Sequence, residues 1–179
     1  VGMACRFPGC PDAAAFWRVL ERGERAPAGQ GDAFRGQPAP GTLLLDDVTG
    51  FDAGFFGIPA ADANAIDPQQ RLLLELTVHA LDDAGIPHRG LAGSAAGVYV
   101  GLSSHDYSVL LWNEGATPKA ITGTANCMAA NRISYWLDLR GPSLVVDTGC
   151  SSSLAAVHLA CQARSRGQVS CAIVGAASP

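Results

Sequence analysis

Residues 143–163 read SLVVDTGCSSSLAAVHLACQA. An apolar, β-branched run passes through a short turn into a segment with helical apolar spacing. A strand that leads directly into a helix forces the helix to pack back on the sheet. The next strand then returns parallel to the first. The same alternation spans the second half of the chain: a strand at 97–102 (GVYVGL), a helix from 124 to about 137, a strand at 143–148, a helix from 151 to about 164, and a strand at 170–176. Such a pattern predicts an α/β fold with a largely parallel sheet, helices on its faces, and reacting groups gathered at the strand ends.

Upstream, residues 1–5 read as a short strand entering a turn at Pro8-Gly9, and Asp12 caps a helix through about Arg22 with Phe16, Val19 and Leu20 as its apolar face. Residues 23–40, rich in Gly, Ala, Pro and Gln without periodicity, predict a surface connection. Asp67-Pro68 is a strong helix start, since Asp caps free N–H groups and Pro at the first helical position sacrifices no hydrogen bond. Leu73, Leu76, Ala80 and Ala84 then line one face, and Gly85 and Pro87 end the helix.

With 179 residues and 48% hydrophobic content, the chain can bury one sizeable core. A net charge of -4 gives no electrostatic footprint for nucleic acid. No apolar run approaches the ~18 to 20 residues of a membrane helix, and the first residues lack the build of a signal peptide. A cytoplasmic protein without membrane contact is expected. The six cysteines, at 5, 10, 127, 150, 161 and 171, form neither a C-x-x-C pair nor a zinc-finger spacing. No metal is expected, and most of these thiols read as small buried residues. The start on Val1 and the end at Ser178-Pro179, straight after an apolar strand, read as those of a fragment.

Cys150 stands apart, because it sits where strand turns into helix, a geometry like the nucleophile elbow that lifts a side chain onto the rim of a sheet. The N–H groups at the helix start favour a thiolate and could later hold an oxyanion. Gly149 and Ser151 leave room for a substrate carbonyl. The residues alone leave the plainer alternative open: Cys150 as a small helix-start residue with the serines as caps. A base is missing in either case. His158 lies eight positions along the same helix, roughly 12 Å away at ~1.5 Å per residue and out of hydrogen-bond reach. His105, beside Asp106 after strand 97–102, reads as a solvated loop residue, and nothing in sequence recommends His79 or His88.

Taken together, VGMACRFPG at 1–9, FDAGFFGI at 51–58, DPQQRLLLE at 67–75, GVYVG at 97–101, ITGTA at 121–125, NRISYWLDLRGPS at 131–143 and VDTGCSSSLAAVHLA at 145–159 resemble the ketosynthase (β-ketoacyl synthase) domain of modular type I polyketide synthases. The resemblance runs nearly end to end, apart from a connection at 23–45 shorter than is usual for the family. It implies a thiolase-like fold with α-β-α-β-α layers, of which residues 1–179 would be the N-terminal half. It also implies that Cys150 takes an acyl chain from the phosphopantetheine arm of an acyl carrier protein and passes it to a decarboxylating malonyl-type extender. No cofactor would be bound by the domain itself, and the partners would be the carrier protein and a second subunit in a homodimer, near the strand before Cys150 and residues 124–132.

Two features depart from the family pattern. Gly149 stands where the family usually has Ala, so Gly149→Ala is expected to fit the elbow. The family's two catalytic histidines and its glycine-rich loop lie well downstream, whereas the 29 residues from 151 to 179 contain only His158. The chain by itself is therefore expected not to condense, and to expose apolar surface on helix 67–84 and on the strand before Cys150. Two alternatives stay open: a fatty-acid β-ketoacyl synthase, or a thiolase-fold half that serves interaction without condensing.

Overall fold

A computed structural model describes residues 1–25, 45, 47–113, 115 and 118–178. Most of the surface connection expected at 23–40 lies outside the described residues. The centre of the fold is strand β1 (Gly97–Gly101), flanked by β2 (Ser143–Val146) and β3 (Ala172–Ala176) in the order β2-β1-β3. Both pairings are parallel, with Tyr99 opposite Leu144 on one side and Val174 on the other. The parallel sheet expected from the alternation is present.

Every residue of β1 is buried, so its alternate side chains feed two cores. Val98 and Val100 pack with Leu73 and Leu74 of helix α3 (Pro68–Asp83) and with Ala129, Ala130 and Ile133 of helix α6 (Cys127–Trp136). Tyr99 points the other way, onto Ala156, Ala160 and Ala163 of helix α7 (Ser152–Ser165). Small residues let α7 lie close to the sheet. The closest approach is at Gly101, where an added Cβ would stand 2.7 Å from the backbone carbon of Ser152. Only glycine at the end of β1 admits the start of α7.

Helix α1 (Ala13–Arg22) is capped as expected, with the Asp12 carboxylate accepting the Ala15 N–H at 2.7 Å and Gly23 closing the other end at φ 60°. In α3, Asp67 accepts the Gln69 N–H at 2.8 Å and Pro68 takes the first helical position. Its buried face differs from the expected one. Gln70, Leu73, Leu74, Thr77 and Leu81 turn inward, while Leu76 and Ala80 are half-buried. Apolarity alone missed this face, because two of its members are polar and satisfied internally: Thr77 donates to the Leu73 carbonyl at 2.7 Å, and Gln70 bonds to α6 and the segment before it.

Residues 1–5 form no strand. Gly2 lies so close to α3 that a Cβ would fall 2.0 Å from the Ala80 carbonyl oxygen, and Met3 donates its N–H to Asp83 at 2.9 Å. Docking on a helix end takes the place of sheet pairing. The turn at Pro8-Gly9 is as expected, closed by reciprocal Phe7–Cys10 bonds of 2.9 and 2.8 Å.

The helix expected over 124–137 is present as α6, which starts three residues later, at Cys127, and ends at Trp136; α5 (Pro118–Thr124) precedes it and was not anticipated. Helices α2 (Ala60–Ala63) and α4 (Asp106–Asn113) complete the set, and neither was anticipated from the sequence. The exposed apolar surface also falls elsewhere than expected. Leu144 of β2 is open, as foreseen, but α3 is tucked against the sheet and α6. Exposed large apolar residues lie instead on several other elements, among them Leu154 and Val157 of α7, Trp112 of α4, Ile121 of α5 and Tyr135 of α6.

Two outcomes follow from this packing. Gly101→Ala pushes a methyl into the Ser152 backbone, and overpacking of this kind costs about 1 to 3 kcal/mol. Gly54→Ala, whose Cβ would meet only an Asp52 side-chain oxygen at 3.5 Å, should stay within about 0.5 kcal/mol of the parent. Urea denaturation of the complete domain measures both.

The second outcome concerns Asp67, whose carboxyl burial pushes up from its ordinary 3.8, against the opposing pull of the Gln69 bonds. A raised folded pKa means that the contribution of this group is fully present below 3.8 and is lost as pH rises through the folded value. Asn caps helices as well as Asp. Asp67→Asn should therefore lessen the decline of stability from about pH 4 to 7, read by denaturation midpoints across that range. An unchanged slope refutes the assignment.

Candidate active site at the strand-to-helix elbow

Between β2 and α7 the chain reverses within Asp147 to Ser151. Asp147 accepts the Gly149 N–H on its side-chain oxygen at 3.1 Å, a local turn that Asp favours. Gly149 has φ 64°, in the left-handed region. The buried Ser152 hydroxyl sits beneath the turn, accepting the Thr148 N–H at 2.9 Å and donating to the Gly149 carbonyl at 2.6 Å. Ser151 donates back to the Thr148 carbonyl or hydroxyl, each at 2.9 Å. The elbow is thus braced by backbone groups and by the side chains of Asp147, Thr148, Ser151 and Ser152, and Cys150 makes none of these side-chain bonds.

Cys150 stands exposed at the tip of this frame. The serines do not cap the helix, because Ser151 precedes α7 without any side-chain bond to its first turn. Their hydroxyls are spent on the elbow. A 14-residue helix therefore presents an uncapped N-terminus beside an exposed thiol, and the partial positive charge of such a terminus favours an anion. The alternative in which the serines are caps is not what the turn shows, since capping and bracing draw on the same residue type.

Gly149→Ala was expected to fit, and sterically it does, with nothing within 4 Å of an added Cβ. The backbone overturns the expectation: φ 64° is costly for any residue carrying a Cβ.

None of the histidines is hydrogen-bonded to Cys150 among the described residues. His158 is exposed and pairs with Gln162 at 2.8 Å. His88 stacks on Trp136 with ring centroids 5.2 Å apart. His79 is exposed on α3. His105 occupies the exposed loop beyond β1, where its carbonyl accepts the Ser108 hydroxyl at 2.6 Å. The arrangement offers a nucleophile with an anion-favouring helix start and no general base. Among the described residues no group of three or more His, Cys, Asp or Glu is placed to hold a metal ion, and no helix is long and apolar enough to cross a membrane.

One feature of the same sheet end had no sequence signal. An open cavity of about 240 Å³ lies between α4 and α5, lined by His105, Trp112, Ile121, Thr124 and Asn126 among others. It is mostly apolar with a few polar groups.

Comparison with known proteins matches residues 1–178 to the family model described as the N-terminal domain of β-ketoacyl synthase. The highly reducing polyketide synthase sdnO of Sordaria araneosa is 43% identical over 198 residues, which covers 99% of this chain and 6% of that protein. A mycocerosic acid synthase-like polyketide synthase of Mycolicibacterium smegmatis is 42% identical, covering 99% of this chain and 9% of that protein. Among solved structures, the ketosynthase from module 6 of the bacillaene synthase of Bacillus subtilis superposes with a TM-score of 0.88 at 36% identity, over all of this chain and 30% of that one. The chain thus spans a small part of each relative.

The elbow makes a prediction independent of activity. Ser152→Ala removes the hydroxyl that accepts the Thr148 N–H and donates to the Gly149 carbonyl, a carbonyl that keeps the Ser152 N–H at 3.0 Å, and each lost bond of this kind costs about 0.5 to 1.5 kcal/mol. Gly149→Ala should cost about 1 to 2 kcal/mol from the left-handed backbone alone. Thermal denaturation of the two variants beside the parent checks both, and a Gly149→Ala protein as stable as the parent refutes the left-handed elbow.

Proposed function

Since the chain belongs to the β-ketoacyl synthase family as its N-terminal domain, with the thiolase-like fold of the ketosynthases it superposes on, we propose that Cys150 is the acyl-accepting nucleophile of polyketide chain elongation. One observation carries the reading: an exposed thiol at the uncapped start of α7, on an elbow whose bonds are all made by other residues. The Cys150 thiolate attacks the carbonyl of an acyl thioester on an acyl carrier protein. The oxyanion forms beside the N–H groups of α7, the carrier's C–S bond breaks, and the phosphopantetheine thiol leaves. A malonyl-type carrier thioester then loses CO₂, and its carbanion attacks the Cys150 thioester. The thiolate is expelled, and a β-ketoacyl chain lengthened by the new carbon-carbon bond remains on the carrier.

Attack on a thioester suits a site without an attached base, because thiolate exchange breaks one C–S bond as it forms another with no net proton transfer. The residues present support the loading half of this cycle. Decarboxylation calls on the downstream histidines that the family resemblance implies, so residues 1–179 alone should not condense. The phosphopantetheine arm arrives with the carrier. A second subunit is supported by β2, which forms the sheet edge and pairs only with β1 among the described strands, with Leu144 open to solvent. The names of the relatives, polyketide synthases from fungi and mycobacteria, favour polyketide over fatty-acid elongation.

The test is acylation of the complete domain by an acyl pantetheine thioester, followed by peptide mass mapping. One acyl group per chain is expected on Cys150, and none on the equally exposed Cys127 and Cys161. Cys150→Ala should abolish labelling and condensation. Labelling of Cys127 or Cys161 with Cys150 untouched overturns the assignment.

A further inference from the structure

Cys150 stands between the turn at Asp147 to Gly149 and the first turn of α7, and one buried side chain joins the two. Ser152, the first residue of α7, is 6% exposed. Its hydroxyl accepts the Thr148 N–H at 2.9 Å and donates to the Gly149 carbonyl at 2.6 Å, so it grips the turn on both sides of the left-handed Gly149. The other side-chain bonds of the turn, the Gly149 N–H to Asp147 and the Ser151 hydroxyl to Thr148, lie in the open, where water competes for both partners.

From behind, Ser152 is seated by Gly101, where a Cβ would stand 2.7 Å from the Ser152 backbone carbon. The hydroxyl therefore ties the turn to a helix start that is itself fixed on the central strand. That helix start presents its N–H groups beside Cys150. Cys150 follows Gly149 directly and precedes Ser152 by two residues, so slack in either bond of the Ser152 hydroxyl reaches the thiol without an intermediary.

We infer that Ser152 is a positioning residue for acyl transfer: its hydroxyl holds the Cys150 thiol and the N–H groups of α7 in one rigid frame, so that a carbonyl attacked by the first has its oxygen met by the second. The inference rests on the acyl-transfer reading above. Attack on a thioester carbonyl needs both at once, because charge builds on the oxygen as the new C–S bond forms. Alkylation of the same thiol by iodoacetamide displaces iodide from a saturated carbon and builds no oxyanion. A misplaced thiol should therefore lose acylation and keep alkylation. A misplacement of ~1 Å suffices to slow an alignment-dependent reaction about 100-fold.

The experiment uses the complete ketosynthase-containing protein and follows two rates at Cys150 by peptide mass mapping, acylation by acetyl-pantetheine and alkylation by iodoacetamide. Ser152→Ala should lower acylation at least about tenfold and alkylation by less than about threefold. Thr77→Val, which removes a buried hydroxyl that bonds the Leu73 carbonyl within α3, should leave both rates within about twofold in spite of a lower thermal stability. A purely structural role for Ser152 moves both rates together or moves neither, and either result overturns the inference. Gly101→Ala, which displaces Ser152 from behind, reads the same pair of rates with the same outcomes if Ser152→Ala does not fold. A parent protein that is alkylated but never acylated at Cys150 refutes the proposed function and the inference with it. Normal acylation of the parent beside an unchanged ratio in the variant refutes the inference alone.

Discussion

The contact between Gly101 and Ser152 is the constraint on which the rest of the molecule turns. It joins the end of the central strand to the beginning of the helix that carries the elbow, at a distance no side chain could occupy. Because Gly101 is opposite Val146 and Ala176 in register, this contact also aligns the ends of all three strands. Ser152 then serves two neighbours. Its backbone rests on β1, while its hydroxyl cross-links the elbow through Thr148 and Gly149. The position of Cys150 relative to the sheet is therefore dictated by a glycine 49 residues upstream.

Such an arrangement explains which parts of the fold were legible in the sequence. Strands β1, β2 and β3 and helix α7 come from short-range periodicity and were placed within a few residues, as was the cap at Asp12. The same holds for Cys150, since an elbow is a local event. The failures share a different origin. Helix α6 starts at Cys127 rather than Thr124, just after an Ala125 carbonyl that is taken by Gln70, 55 residues away. The missing strand at the N-terminus depends on Gly2 meeting the far end of α3. No local window contains either cause.

The buried polar side of α3 carries a related lesson. Asp67, Gln69, Gln70 and Arg71 are all buried, although a helix start of this composition reads as solvent-facing. Desolvating these groups is unfavourable unless they are paired. The pairs found here, Gln69 to Asp67 and Gln70 to Arg132 and Ala125, supply part of that compensation and fix one loop arrangement, while Gln69 Oε1 and Arg71 Nε have no partner among the described residues. Apolar residues of equal volume would fill the space, but they could not hold carbonyl groups at chosen positions. The polarity of DPQQR is thus tied to the placement of residues 122–126.

Helix α7 combines two demands that usually fall on different elements. One side, Ala156, Ala160 and Ala163, is narrow enough to lie on Tyr99, and the opposite side carries Leu154 and Val157 in the open. A helix apolar on both sides is suited to cover on both sides. The same helix lends its N–H groups to Cys150. Fixed donors act more strongly on developing charge where water is excluded. Whatever packs on Leu154, in the first turn of the helix, also screens that helix start from solvent. Assembly around α7 and oxyanion stabilisation at its N-terminus are thereby linked, because one short stretch of helix presents the surface to be covered and the donors that benefit from cover.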